Sequence, residues 1–163
     1  MLVAEEAGYS PQLLLKYLKN GRIVRIRRGV YRIVHSPASE HEDLATIWLW
    51  SDQEGVFSHE TALMLHELSD ALPRRMHLTL PSSWAKRRFR VPKGVMLHHA
   101  DIPKDEQVAI GAVPVTNVRR TLIDCVAAHV SPELLEAAFR QARSRCLIDA
   151  NEARTIRARR RVA

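Results

Sequence analysis

The chain has 163 residues, 46% of them hydrophobic, with a net charge of +7 and a pI near 10.0. That length holds one medium domain or two small ones and buries a real core, which excludes a disordered polyelectrolyte. Cys125 and Cys146 lie in helical patterns with no partner motif, which excludes a disulfide framework and a cysteine zinc site and fits buried thiols in a reducing compartment.

The charge is uneven. Residues 1–34 carry seven Lys/Arg against two Glu, residues 35–139 carry ten against fourteen acids, and residues 140–163 carry eight against two. Two basic ends flank a mildly acidic middle, so an anionic partner is expected at the ends. Glu5-Glu6 stands where a secretion signal would be apolar, and no run approaches the length of a membrane span. A cytoplasmic protein is expected.

In chain order, residues 2–7 (LVAEEA) read as a short helical segment and Gly8-Tyr9 as a turn. Ser10 can cap a helix and Pro11 fits its first position, predicting a helix over 11–20. Leu14, Tyr17 and Leu18 form its apolar side, Leu13 and Leu15 flank it, and Gln12, Lys16 and Lys19 face out. Asn20-Gly21 stops it, since glycine readily takes the left-handed conformation that ends helices. Ile23 to Ile26 then alternates with basic residues, Arg28-Gly29 turns, and Val30 to Ile33 returns. Helix, glycine turn, helix and basic hairpin make a winged helix-turn-helix over residues 1–36. The helix that usually leads such a domain is expected to be missing or very short here.

On this reading Gln12 meets a base edge, and Lys16 and Lys19 meet phosphates or guanine. Alternation lets Arg25 and Arg27 project together, while Ile23, Val24 and Ile26 supply apolar contacts. The Arg28-Gly29 tip reaches backbone or minor groove. Ser10, Arg22 and Arg32 complete the expected double-stranded DNA contacts. The competing reading of Gln12, Lys16 and Lys19 is a solvated helix face.

Residues 34–39 read as a linker. Ser39 and Glu42 have capping-box spacing and predict a helix over 40–51, with Leu44, Ile47, Trp48 and Trp50 apolar. Gly55 breaks it. Ser58 precedes a helix over 59–69. Met76 to Leu80 alternates like a strand, 82–94 is basic and loop-rich, and Val95 to His98 is a further strand. Val108 to Ile110 and Val113 to Val115 predict a hairpin around Gly111-Ala112. Asn117 to Ala128 is a helix, Ser131 opens another to about Arg145, and Asp149 with Glu152 repeats the capping box. The last helix and tail, 151–163, end in Arg157, Arg159, Arg160 and Arg161, either a solvated end or a second phosphate-binding arm. The fold class is α+β, with a mixed second domain over 40–150.

Catalytic motifs are sparse. His59 and His66 are seven apart on one helix face and could meet a metal with His98-His99 as third ligand, but hydrogen-bonded histidines are commoner. There is no [DE]-x-K triplet, no phosphate-binding glycine loop and no nucleophile elbow. No enzyme activity, metal or other cofactor is expected.

The stretches GRIVRIRRGVYRI, SHETALMLHELSD, MHLTLP and VPVTNVRRTLIDCV, in that order over about residues 8 to 145, resemble the AbiEi-type antitoxins of bacterial toxin–antitoxin and abortive-infection systems. The resemblance implies an N-terminal winged helix-turn-helix that binds the operator of its own operon and represses it. It also implies a C-terminal antitoxin domain that counters a nucleotidyltransferase-type toxin, commonly without a stable complex. Ser10 to Lys19 would be the recognition helix and Arg22 to Tyr31 the wing, with Gly29 in its turn and Tyr31 packing it on the helix. His59, Glu60 and Ala62 match the start of a C-terminal-domain helix. Arg119, Arg120, Thr121 and Asp124 match another stretch, where Arg120 and Asp124 have ion-pair spacing. Two alternatives stay open: a protein–protein module gripping an acidic partner through its basic N-terminal block, and a metal-dependent nucleic-acid enzyme centred on His59, Glu60 and His66.

Overall fold

A computed structural model describes residues 2–3, 10–27, 30–34, 41–70 and 72–159. The chain divides into two compact units, Met1–Glu54 and Gly55–Ala163. Among the described residues there are six α-helices and two sheets, a mixed α+β architecture. None of the helices is long and apolar enough to cross a membrane.

In the first unit, β1 (Leu2–Val3), β2 (Ile23–Arg27) and β3 (Val30–Ile33) form an antiparallel sheet in the order β1-β3-β2. Leu2 opposes Tyr31 and Val3 opposes Val30. The expectation of a helix over 2–7 is therefore wrong at Leu2 and Val3: two β-prone residues beside an open strand gain ladder hydrogen bonds that a helix too short to propagate cannot match. Residues 4–9 lie outside the described set. Helix α1 (Pro11–Lys19) starts as the sequence predicts. Ser10 Oγ accepts from the Leu13 amide at 3.3 Å, Pro11 occupies the first turn, and Gly21 follows the end at φ +64°.

Helix α2 (Glu42–Trp50) begins two residues later than expected. His41 is its N-cap without a side-chain bond, and Glu42 joins Arg32 of β3 at 3.2 Å. Ser39 lies outside the described residues. Leu44 and Ile47 are its buried apolar residues.

The second unit is built on a five-stranded sheet in the order β6-β5-β4-β8-β7, comprising β4 (Val56–Phe57), β5 (Met76–Leu80), β6 (Val95–His99), β7 (Gln107–Ile110) and β8 (Val113–Thr116). β7 and β8 make the predicted hairpin, with Gly111 at φ +59°. β5 and β6 run parallel, His77 opposite Met96 and Thr79 opposite His98. The central β4 is unpredicted: its two residues give no periodicity, yet Phe57 is wholly buried and pairs both with Leu78 and with Val115.

Helices α3 (His59–Leu65), α4 (Val118–Ala127), α5 (Pro132–Ser144) and α6 (Ala150–Ala158) complete the unit. Local chemistry sets their starts. Asn117 accepts from Arg120 N, Ser131 from Leu134 N, and Asp149 with Glu152 closes a full capping box. Leu63, Leu68, Leu122, Val126, Leu135, Phe139 and Ile156 form one core between these helices. Arg120 bonds Asp124 at 2.8 Å, the predicted pair, and also Glu106 at 2.5 Å.

Candidate nucleic-acid interface

Helix α1 buries no residue completely, yet it has two distinct sides. Leu13, Leu14, Tyr17 and Leu18 are half-buried, whereas Gln12, Leu15, Lys16 and Lys19 are exposed. The second set follows the i, i+3, i+4, i+7 spacing of a single helical stripe. The stripe thus holds one amide, one aliphatic side chain and two ammonium groups. Sequence reasoning placed Leu15 on a flank; at 58% exposure it belongs with the polar residues. Its spacing from Gln12 and Lys19 was the available signal. Ser10 is exposed at the head of the stripe, its hydroxyl engaged in the cap.

Behind the helix, Arg22 is exposed and stands 5.9 Å over the Tyr17 ring, a cation–π contact that ties the helix end to the start of β2. Arg25 is exposed on β2. The strand does not alternate as expected. Arg25 opposes Tyr31 and Arg27 opposes Val30, so the register slips between them and Ile26 is the extra residue. The shared face predicted for Arg25 and Arg27 rested on unbroken alternation, which the bulge removes. Ile23 is buried, whereas Val24 and Ile26 are 37% and 42% exposed. The Arg27 side chain and the Arg28-Gly29 tip lie outside the described residues. Arg32, another expected DNA contact, is held by Glu42 at the β3–α2 junction.

The basic C-terminal segment is helical through Ala158. Arg157 is docked, not loose: it bonds Glu136 at 2.6 Å and lies 4.5 Å over the Phe139 ring. Arg143, Arg154 and Arg157 line a shallow cleft between α5 and α6. Arg159 is exposed, and Arg160 and Arg161 lie outside the described residues.

The histidines are arranged differently from the expectation. α3 ends at Leu65, and His66 sits past it with Nε2 bonded to the Thr116 carbonyl at 2.7 Å. His59 and His66 therefore do not converge. His59 instead meets His98, the rings stacked with centroids 3.7 Å apart, and His77, whose Nδ1 is 3.0 Å from His98 Nε2. Nitrogen atoms of the three lie within 4.8 Å of one another. His77 was missed. Strand alternation places it on the same face of β5 as Thr79, but only the parallel pairing with β6 brings it beside His98.

Burial, and then repulsion from His98 and His77, pushes the His59 imidazole down to about 3. Burial, and then repulsion from His77 and His99, takes His98 to about 4. The cluster is neutral at pH 7. His59 also has φ +52°, a costly conformation for a residue with a Cβ. Ser58 Oγ, at the N-cap of α3, contacts His59 Nδ1 at 2.8 Å and Thr79 Oγ1 at 2.7 Å instead of capping the helix.

A family model described as "Transcriptional regulator, AbiEi antitoxin" matches residues 3–34, the segment holding α1 and the β2–β3 ribbon. No curated protein matches the chain. Among solved structures the chain is similar to the crystal structure of RV2827C protein from Mycobacterium tuberculosis, at 17% identity and a TM-score of 0.48, over 96% of this chain and 72% of that one.

Proposed function

We propose that this protein is a DNA-binding transcriptional regulator of the AbiEi antitoxin type. On this reading the N-terminal unit, with α1 as recognition helix and the β2–β3 ribbon as wing, represses the protein's own operon. The α+β unit from Gly55 onward, in place of the 40–150 domain expected from sequence, counters a nucleotidyltransferase-type toxin without enzymatic activity of its own. The observation that carries the reading is the exposed Gln12–Leu15–Lys16–Lys19 stripe followed by a basic ribbon, within the segment matched by the regulator model.

The roles follow from chemistry. Gln12 offers an amide that bonds a base edge bidentately, and Leu15 offers an apolar surface for a thymine methyl. Lys16, Lys19, Arg22, Arg25, Arg27 and Arg28 neutralise phosphates and supply affinity with little sequence choice. Arg32, drawn to Glu42, contributes least.

The test is fluorescence-anisotropy binding to the DNA upstream of the protein's own gene, against scrambled DNA, over a salt series. Tight binding with a clear preference for the upstream DNA is expected. Equal, strongly salt-dependent binding to both would leave only a basic surface without an operator and sink the repressor reading. A second reading, a module for an acidic protein partner, draws support from the exposed aliphatic groups of Val24, Ile26, Ile33 and Val34 among the ribbon's basic residues. Co-purification with a toxin by a protein that ignores DNA would select it.

A further inference from the structure

The strongest unassigned cluster in the second unit is His59, His77 and His98. Each comes from a different element: the first residue of α3, the second of β5 and the fourth of β6. The backbone holds them in place. The Ser58 amide donates to the His77 carbonyl at 3.2 Å, and the His77 amide donates to Thr61 Oγ1 at 2.8 Å, so α3 is pinned to β5 at this residue. The β5–β6 ladder then fixes His98 on the same sheet face.

We propose that His59, His77 and His98 bind one divalent d-block cation, zinc foremost, between α3 and strands β5 and β6. This departs from the expectation that the protein takes no metal. Three imidazoles are the nitrogen donors such cations prefer over alkaline-earth ions. Zinc–nitrogen bonds of about 2.0–2.1 Å around a tetrahedral ion place neighbouring donors about 3.3 Å apart. His77 Nδ1 and His98 Nε2 are already 3.0 Å apart. A hydrogen bond between two imidazoles needs a proton between them; the cation takes its place and uses both lone pairs. The His59 ring, now stacked on His98, must tilt to bring Nε2 to the ion.

The surroundings favour a ligand over a general acid. Histidines bind metal in the neutral form, and burial lowers all three below their ordinary 6.5. The Ser58 hydroxyl pairs with Nδ1 of His59 and with the Thr79 hydroxyl, leaving Nε2 of His59 as the ligand atom. That is the relay that orients ligating histidines. Arg120, the cation whose field reaches His59, is bonded to both Asp124 and Glu106, so its charge is compensated. His77 and His98 are partly exposed, which leaves a path for the ion and a fourth position for water.

The experiment uses the full chain without a histidine tag, treated with chelator and desalted, then titrated calorimetrically with zinc chloride. Saturation at one zinc per chain is expected, together with a raised unfolding temperature. His77→Gln and His98→Gln should each weaken binding at least about tenfold, and Ser58→Ala by about tenfold through the lost orientation of His59. His66→Gln and His99→Gln should leave it unchanged. Imidazole nitrogen NMR of the unmodified protein guards against a variant that misfolds: zinc should shift His59 at Nε2, His77 at Nδ1 and His98 at Nε2. No saturable uptake, uptake undiminished by both His77→Gln and His98→Gln, or shifts confined to other histidines would overturn the proposal.

Discussion

Replacing Lys16 and Lys19 together by alanine removes both cations from the exposed stripe of α1 and disturbs no buried residue. If each meets a phosphate, the slope of log K against log salt falls by about 0.9 per contact, or about 1.8 for the pair. Extrapolated from about 1 M, where counterion release contributes nothing, to about 0.15 M, that slope amounts to about 1.5 log units, roughly a 30-fold loss of affinity. At about 0.05 M the loss grows to about 200-fold. The same lysines sit in the last turn of the helix, where their charge favours the helix dipole by about 0.3–1 kcal/mol each. Alanine's higher helix propensity offsets part of this, so the unfolding temperature should move little. The assay is anisotropy at four or more salt concentrations with one DNA duplex. A double variant whose plot runs parallel to that of the unmodified protein, displaced or not, refutes phosphate contact by this stripe.

Further outcomes follow from other residues. Gln12→Ala should lower discrimination at one base pair by about 1–3 kcal/mol with the salt slope intact, read from competition with single-site operator variants; a uniform loss over all duplexes would remove Gln12 from base reading. Phe139→Ala, at a ring only 1% exposed in the helical core with Arg157 above it, should destabilise the protein by about 3–5 kcal/mol in urea unfolding; a loss under about 1 kcal/mol would mean the core packs otherwise. His66→Gln tests a titration. Burial, helped by Arg145, holds His66 below its ordinary 6.5, although the bond to Thr116 works the other way. As pH falls through 6.5 the unfolded chain takes up a proton that the folded chain refuses, so stability present above 6.5 declines below it. Between about pH 7 and 5 the variant should lose stability less steeply than the unmodified protein, and superimposable pH profiles would contradict this.

What proved legible in the sequence was local. Ser10, Asn117, Ser131 and Asp149 start helices because each side chain bonds an amide three residues on, a fact contained in four consecutive letters. Arg120 with Asp124 and the hairpin at Gly111 are of the same kind. What escaped depends on distant partners. Glu42 bonds Arg32, ten residues back, a partner that no local spacing announces. Leu2 and Val3 are compatible with a helix until β3 offers an edge. His59 and His66 invite a metal reading by spacing, yet α3 is only seven residues long and turns His66 away. The histidines that do meet are joined by a parallel pairing, which leaves no periodic trace along the chain. The proposed DNA stripe was largely readable, because exposure on a short helix follows from its period; the bulge at Ile26 was not.

The two-residue strand β4 has a consequence for the order of folding. It is the joint between two ribbons, β5–β6 on one side and β7–β8 on the other. The β7–β8 hairpin closes over a two-residue turn and can form within microseconds. The pairing of Phe57 with Val115 must close a loop of about 60 residues before any of its burial is gained. The Phe57–Val115 pairing is therefore expected to close after the hairpin, joining the two ribbons into one sheet. Phe57 and Val115 are wholly buried, so this joint is expected to open only with the unit as a whole. Amide exchange at Phe57 and Val115 should accordingly run at the rate of global unfolding, while the amides of the β7 edge exchange through smaller openings.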